Sequence, residues 1–264
     1  MLIEFIKVET RITFNRIIGR ICRPIRKFWA QNYYKSLKNL HKGKRGFVIG
    51  NGPSLRIEDL NKLNNEITIA SNKIYLAFEE TKWRPNYYTV ADPILWPKIK
   101  NELKNIDIHI FHIPSNLDDI PISIYKKTRA WNNVKRAETR PFSDDFSEKV
   151  YGGGSITYQN IQFAYYLGLN PIYIIGCDHN YNENTKSNES VLINHVGSSN
   201  HFHKKYRVSG ERVLSANIDL MNEYFYISKT FLKDKSYSIY NSTRGGNLNI
   251  FQRREFESLF NKNQ

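Results

Sequence analysis

The stretch FVIGNGPSL, residues 47–55, constrains what this chain can fold into more than any other. Phe47-Val48-Ile49 is a short apolar run with β-branched side chains, and it stops at Gly50-Asn51-Gly52-Pro53-Ser54. A helix-compatible run, LRIEDLNKL, follows. Strand, glycine turn and helix in immediate succession form the opening unit of an α/β sheet, with Ser54 the expected helix cap. Such a turn aims backbone N–H groups at a helix N-terminus, where the dipole favours an anion. The first strand-to-helix turn of an open α/β sheet is also where such folds seat nucleotides. The spacing is neither G-x-G-x-x-G nor a Walker loop, so an ordinary βα turn stays open as the other reading.

The alternation continues down the chain. Ile67–Ala70 reads as a strand ending in Ser71-Asn72-Lys73, and Tyr87–Val90 as one running into Ala91-Asp92-Pro93, where the proline ends it. Ile108–Phe111 is a fourth strand, and 112–150, broken by Pro114, Pro121 and Pro141, reads as loops and short elements. Residues 150–177 carry no charge. Gly152-Gly153-Gly154 opens a helix from Ser155 to Leu167 stopped by Gly168, and a strand Ile172–Ile175 follows. Lacking a charged face, both belong in the middle of the molecule. The strand ends in Gly176-Cys177-Asp178-His179-Asn180-Tyr181, polar groups at the strand end where an α/β site is expected. A helix from about Asn217 to Lys233 and a strand Tyr237–Tyr240 lead to Asn241-Ser242-Thr243-Arg244-Gly245-Gly246, a further candidate ligand loop.

Charge separates off the first 45 residues. They hold twelve Lys or Arg against Glu4 and Glu9, a net +10 of the chain's +14. The remaining body, 46–264, is nearly balanced, which argues against a nucleic-acid-binding face. Within 1–45, Ile, Leu, Phe and Trp interleave with single basic residues, Pro24 stops or kinks a first helix, and charges interrupt any membrane-spanning run. Two readings stand. The segment is a basic amphipathic extension lying on an anionic membrane, at the inner face of the cytoplasmic membrane, or it packs on the body or on a second copy in a homo-oligomer. Cys22 and Cys177 lie far apart without metal-ligand spacing, which suits a reducing cytoplasm.

Four of seven histidines, His179, His195, His201 and His203, fall within 25 residues. Asp178 with the 201/203 pair has the composition of a metal site, but the spacing matches no zinc signature. Lys204, Lys205 and Arg207 follow, a cationic group suited to a phosphate-bearing ligand or to a solvated surface loop.

Taken in order, GNGPSL, SNKIY, ADP, GGGS–helix–GLNPIYIIGCDHNY, NHFH and IYNSTRGGNL resemble the bacterial MptE-like 6-hydroxymethylpterin diphosphokinase family over about 46–260. That family is similar in turn to the family 42 bacterial sialyltransferases and the motility-associated flagellin glycosyltransferases. The resemblance implies a Rossmann-like, mostly parallel sheet, a variant of the GT-A fold of the sialyltransferase kind. It implies that Asn51, Gly52, Pro53 and Ser54 hold the nucleotide and its phosphate. Asn72 and Asp92 would face the sugar and ribose, and Gly154 and Ser155 the phosphate, with Asp178 in the segment beyond. Asn180 and Tyr181 stand where the sialyltransferases place a tyrosine that steadies the leaving phosphate. His201 corresponds to their catalytic base, with His203 two residues away. Gly154-Ser155-Ile156 replaces their threonine-serine-glycine turn, which leaves the sugar open.

The chemistry expected is transfer of a sialic-acid-like sugar from a CMP-sugar to a hydroxyl of a surface glycan or glycolipid. The chain contains no D-x-D pair, and a monophosphate leaving group can be held by N–H groups, Tyr, Lys and Arg, so no cofactor is required. Lysines 204 and 205 would keep the His201 imidazole neutral and able to accept a proton. The alternative is diphosphate transfer from ATP to a hydroxymethyl group, with Mg²⁺ on Asp92 and Asp178. A non-catalytic nucleotide sensor is a third reading.

Overall fold

Eight strands form one sheet in which every pairing is parallel. The computed structural model describes residues 28–106, 110–112, 128–130, 133–134, 142–181, 192–194 and 200–261. In chain order the strands are β1 (Gly46–Ile49), β2 (Ile67–Ser71), β3 (Tyr87–Val90), β4 (Ile110–His112), β5 (Thr128–Ala130), β6 (Asn133–Val134) and β7 (Val150–Tyr151). They continue with β8 (Ile172–Ile175), β9 (Leu192–Asn194), β10 (Arg212–Leu214), β11 (Ile239–Asn241) and β12 (Gln252–Arg253). The main sheet runs β12-β11-β8-β1-β2-β3-β4-β5. β6 pairs with β7, and β9 with β10 as an antiparallel ladder.

The chain steps outward from β1 to β5, then returns to the other side of β1 and steps outward again through β8, β11 and β12. β1 and β8 are therefore neighbours whose following loops leave in opposite directions. This parting is where open α/β sheets leave a crevice at their strand C-termini.

Both faces of the sheet are covered, as a parallel sheet requires. Val48, Ile69 and Ile174 point to a core shared with the helices Ile156–Tyr166 and Ile218–Asp234. Phe47, Ile49, Ala70, Tyr88 and Ile175 point to a second core under Leu55, Leu60, Trp83 and Trp96. The helix Ile156–Tyr166, hereafter the central helix, is buried on nearly every side, which accounts for its uncharged sequence. Its three amides are buried too. Gln162 takes the N–H groups of Ser143 and Tyr151 and donates to two carbonyls, while Asn160 accepts from the Thr89 hydroxyl at 2.8 Å. Helical backbone over 28–37 lays Ala30, Tyr34 and Leu37 against this core, with Tyr34 edge-on to Phe146 and Phe163. No helix among the described residues is long and apolar enough to cross a membrane.

Several expected bounds shift. The helix after the glycine turn begins at Ile57, and its first turn is closed by the Arg56 N–H on Asp59 Oδ2 at 3.1 Å, so Ser54 is not its cap. The fourth strand is Ile110–His112 and the eleventh Ile239–Asn241, each displaced toward the C-terminus of its expectation. β5 is one of the short elements expected between 112 and 150, and it extends the sheet. Pro24 and His195 lie outside the described residues.

Candidate active site

The parting of β1 and β8 is stitched across by hydrogen bonds. Gly50 N–H donates to Ile175 O and Gly52 N–H to Gly176 O, both at 2.8 Å. Ser54 gives its N–H to the Asp178 carboxylate at 3.2 Å and its hydroxyl to Asp178 Oδ2 at 2.9 Å. Two glycines are required by this closeness. A Cβ on Gly50 would stand 2.3 Å from Gly176 O, and one on Gly52 would stand 1.9 Å from Asp178 Oδ2. The sequence reading aimed these N–H groups at a ligand phosphate. In the fold the chain's own Asp178 carboxylate takes the Ser54 N–H and hydroxyl, which corrects that expectation. Burial pushes the Asp178 carboxyl above its ordinary value, and the Ser54 bonds pull it back in part.

Beside this seam opens a cleft with two lobes. The smaller, of about 100 Å³, lies over the seam between Asn51, Gly52, Ser71, Thr157 and Asp178. The larger, of about 340 Å³, runs over Asp92, Gly154, Gln159 and Arg207 to the β10 segment. Asn72, Ser155, Tyr181, His201 and Tyr206 line both and mark the junction. The central helix points its N-terminus here. Ser155 caps it, accepting Thr157 N–H at 3.2 Å, and Gly154 before it has φ +70°.

The polar lining of the cleft is incompletely used by the protein. The side-chain oxygens of Asn51, Ser71, Asn72 and Gln159 are buried with no partner. Ser71 and Gln159 are themselves almost wholly buried. Buried polar atoms are ordinarily bonded, so acceptors left over on a cleft wall mark places where a ligand can supply donors. Asn72 holds φ +56°, the left-handed conformation that asparagine tolerates. Asp92 turns Oδ1 to the Ile94 and Leu95 N–H groups at 2.8 and 3.0 Å.

His201 lies flat on the Tyr206 ring, centroids 3.8 Å apart and 8° from parallel. Burial raises the Tyr206 phenol to about 12, against which Arg207 and bonds from Lys73 and Asn72 pull it down. The backbone next to His201 is fixed, because Phe202 N–H donates to Asn51 O at 2.9 Å. His203 points elsewhere, toward Glu80 at 3.8 Å, and takes Lys205 N–H on Nδ1. His179 is buried, with φ +54° and a bond between its Nε2 and Asn222 Oδ1 at 3.0 Å. Burial holds its pKa below the ordinary value. Among the described residues no group of three His, Cys, Asp or Glu could hold a metal ion.

Of the residues singled out in the sequence, Asn51, Gly52, Asn72, Asp92, Gly154 and Ser155 meet in the cleft, together with Asp178, Asn180, Tyr181, His201 and Arg207. Pro53 and Ser54 line neither lobe. Asn241 and Thr243 are internal ties. Asn241 bonds Leu248 O and Thr243 N–H, while Thr243 Oγ1 takes Cys177 N–H at 3.1 Å. Lys204 and Lys205 are exposed and line neither lobe, so the pull expected from them on His201 has no support in the geometry. Arg207 reaches the larger lobe, paired with Glu211 at 3.3 Å.

Sequence reasoning passed over Ser71, Gln159, Asn200 and Tyr206, all of which line the cleft. A signal existed for Gln159. An amide inside a charge-free helix must find a partner or a ligand, and within the protein Gln162 uses both ends of its amide and Asn160 its oxygen.

Comparison with known proteins agrees with this architecture. The model of a family described as 6-hydroxymethylpterin diphosphokinase MptE-like matches residues 25–184. Among solved structures, the MAf glycosyltransferase from Magnetospirillum magneticum AMB-1 superposes with a TM-score of 0.51 at 13% identity. The superposition covers 88% of this chain and 39% of that one, so the chain spans well under half of its neighbour's length. No curated protein matches the chain.

Proposed function

The chain belongs to this MptE-like family, and from that premise we propose that it is a glycosyltransferase. In this reading it moves a sialic-acid-like sugar from a CMP-sugar to a hydroxyl of a surface glycan or glycolipid. The observation that carries the reading is the two-lobed cleft at the sheet's parting with His201 at the junction. Two lobes meeting at a histidine suit a reaction in which a nucleotide and a sugar part company beside an incoming hydroxyl.

The step balances with the residues present. The acceptor oxygen attacks the anomeric carbon as the bond from that carbon to the phosphate oxygen breaks. The hydroxyl proton passes to His201 and the electron pair leaves on CMP. General base catalysis of this kind is worth about 10²–10⁴ in rate. The departing phosphate goes toward the N-terminus of the central helix, where the dipole favours negative charge, in a cleft that Tyr181 and Arg207 also line. Gln159 Oε1 and the Asp92 carboxylate offer acceptors to the hydroxyl or amide donors of the sugar.

The family's name favours a second reading, diphosphate transfer from ATP with Mg²⁺. The two candidate carboxylates fit a shared ion poorly. Asp178 lines the smaller lobe and is bonded to Ser54, whereas Asp92 lines the larger lobe and holds a backbone turn.

A thermal-shift panel of CMP, UDP, GDP and ATP, with and without Mg²⁺, tests the reading. At 100 times its Kd a ligand adds about 2.7 kcal/mol, which for a chain of this size raises Tm by roughly 5–10 °C. CMP should stabilise in the presence of chelator. Stabilisation by ATP with Mg²⁺ alone overturns the glycosyl-transfer reading in favour of the second.

A further inference from the structure

We infer that the pole of the molecule opposite the cleft is a docking face for an anionic lipid bilayer, one that holds the cleft pointing away from the membrane.

The position of this face follows from backbone bonds. Asn39 N–H donates to Tyr166 O, His41 N–H to Leu167 O and Gly43 N–H to Gly168 O, at 2.9, 2.9 and 3.0 Å. These carbonyls are the last of the central helix, whose first residues line the cleft. The helix is 11 residues long, about 16 Å from end to end. Residues 38–44 therefore sit at the far end of it from the cleft. The helical stretch 28–37 leads into them, packed through Tyr34 on the half of the central helix that holds Phe163.

The chemistry of the face is that of a membrane interface. Leu40 stands 54% exposed at this end, and Phe28 and Trp29, at the start of the helical stretch that leads into it, stand 60% and 68% exposed, three of the six large hydrophobic side chains that the described residues leave in water. Residues 28–45 contain Lys35, Lys38, Lys42, Lys44 and Arg45 and no acidic residue. Lys35, Lys42 and Lys44 are exposed, whereas Arg45 is spent on Glu66 and Lys38 reaches Asp145 at 3.5 Å. The 27 residues before Phe28 add seven Lys or Arg against two Glu, the same sign. Trp and Phe beside a row of lysines suit the headgroup level of an anionic leaflet, where rings enter the interface and ammonium groups meet phosphates. A second copy of this chain would bring like charge to the face and is disfavoured on that ground.

The proposal does not depend on the sugar chemistry, and its test is separate. The full chain is sedimented with vesicles of phosphatidylcholine alone and with phosphatidylglycerol added, at low and at high salt. It should bind the anionic vesicles, and salt should release it. Lys35→Gln, Lys42→Gln and Lys44→Gln combined should weaken binding by roughly 100-fold, about fivefold per lysine. Phe28→Ser with Trp29→Ser should weaken it at least ~10-fold. All these side chains are exposed, so the melting temperature should stay at its wild-type value. Equal binding of the variants, or no binding by the wild type at low salt, overturns the inference. So does a dimer in light scattering that the same substitutions dissolve, because the face would then join two copies.

Discussion

Two turns rich in backbone N–H groups face the same cleft, and the fold uses them in opposite ways. Three of the four N–H groups in the Gly50–Ser54 turn are given to the chain itself, Gly50 to Ile175 O, Gly52 to Gly176 O and Ser54 to the Asp178 carboxylate. The Gly152–Ser155 turn ends at the N-terminus of the central helix, and Ser155 and Ile156 line both lobes. The first looks like an anion seat in sequence and has been filled by an anion from the chain itself. The second is less conspicuous and faces the ligand space. A seat filled from within holds two strand ends together, and only a seat left open is available to substrate.

The largest expected effects break the first turn. Gly52→Ala or Gly50→Ala should yield little folded protein by circular dichroism, because the new methyl meets backbone or a held carboxylate at under 3 Å. Gly154→Ala should fold, losing about 1–2 kcal/mol to its positive φ, since its nearest neighbour is a Met221 side-chain atom at 3.4 Å. If all three variants melt alike, the two turns do not differ.

Next in size is chemistry at the junction. His201→Ala should slow CMP release from a CMP-sialic acid in the presence of acceptor by ~10²–10⁴-fold with CMP affinity kept. His203→Ala, turned to Glu80, should stay within about threefold of wild type. The opposite pattern moves the base two residues along.

A paired measurement sharpens the contrast itself. Ser54→Ala should cost about 1–2 kcal/mol in urea unfolding by stripping a bond from buried Asp178, while CMP affinity by calorimetry stays nearly unchanged. Ser155→Ala should cost about 1 kcal/mol of capping and also weaken CMP by roughly 5–10-fold. Loss of CMP binding in Ser54→Ala instead would return the phosphate to the first turn.

The smallest effect is in pH. The folded pKa of His179 lies below 6.5, so the unfolded chain takes up its proton first and stability falls as pH drops from 6.5 toward that lowered value. Asp178 has the opposite sign. The fold keeps its proton longer, so stability falls as pH rises from 3.8 through its raised pKa. His179→Gln should flatten the profile near pH 6 and leave the lower limb; a profile unchanged there would assign the acid sensitivity elsewhere.

The element order was readable because its signals are local. Apolar runs, glycines and prolines punctuate the chain wherever a strand or helix stops, and sites of such sheets sit at strand C-termini. That much put Asn51, Asn72 and Asp92 at one edge of the sheet, whereas Ser155 and His201 were named by the resemblance to the sialyltransferases, and all five line one cleft. The misreadings share a cause in sequence distance. Ser54 and Asp178 are 124 residues apart, and nothing near either says that they bond. Arg244, in a loop read as ligand-binding, is held by Asp59 185 residues away and by Glu257. Thr243, in the same loop, takes Cys177 N–H on its hydroxyl across 66 residues. Polar side chains at strand ends have the same composition whether they wait for a substrate or for each other.

The bond from Phe202 N–H to Asn51 O bears on the cost of working in water. A histidine carried in by a closing flap would be out of place until substrate arrived. His201 is instead neighbour to a backbone atom anchored on the floor of the cleft, and its ring is stacked on Tyr206. Under the proposed chemistry the base is set before any acceptor enters, and a water molecule can take the acceptor's place. Such an enzyme leaks. It should hydrolyse its donor slowly when acceptor is scarce, and the cell that makes it must keep acceptor abundant or accept the waste.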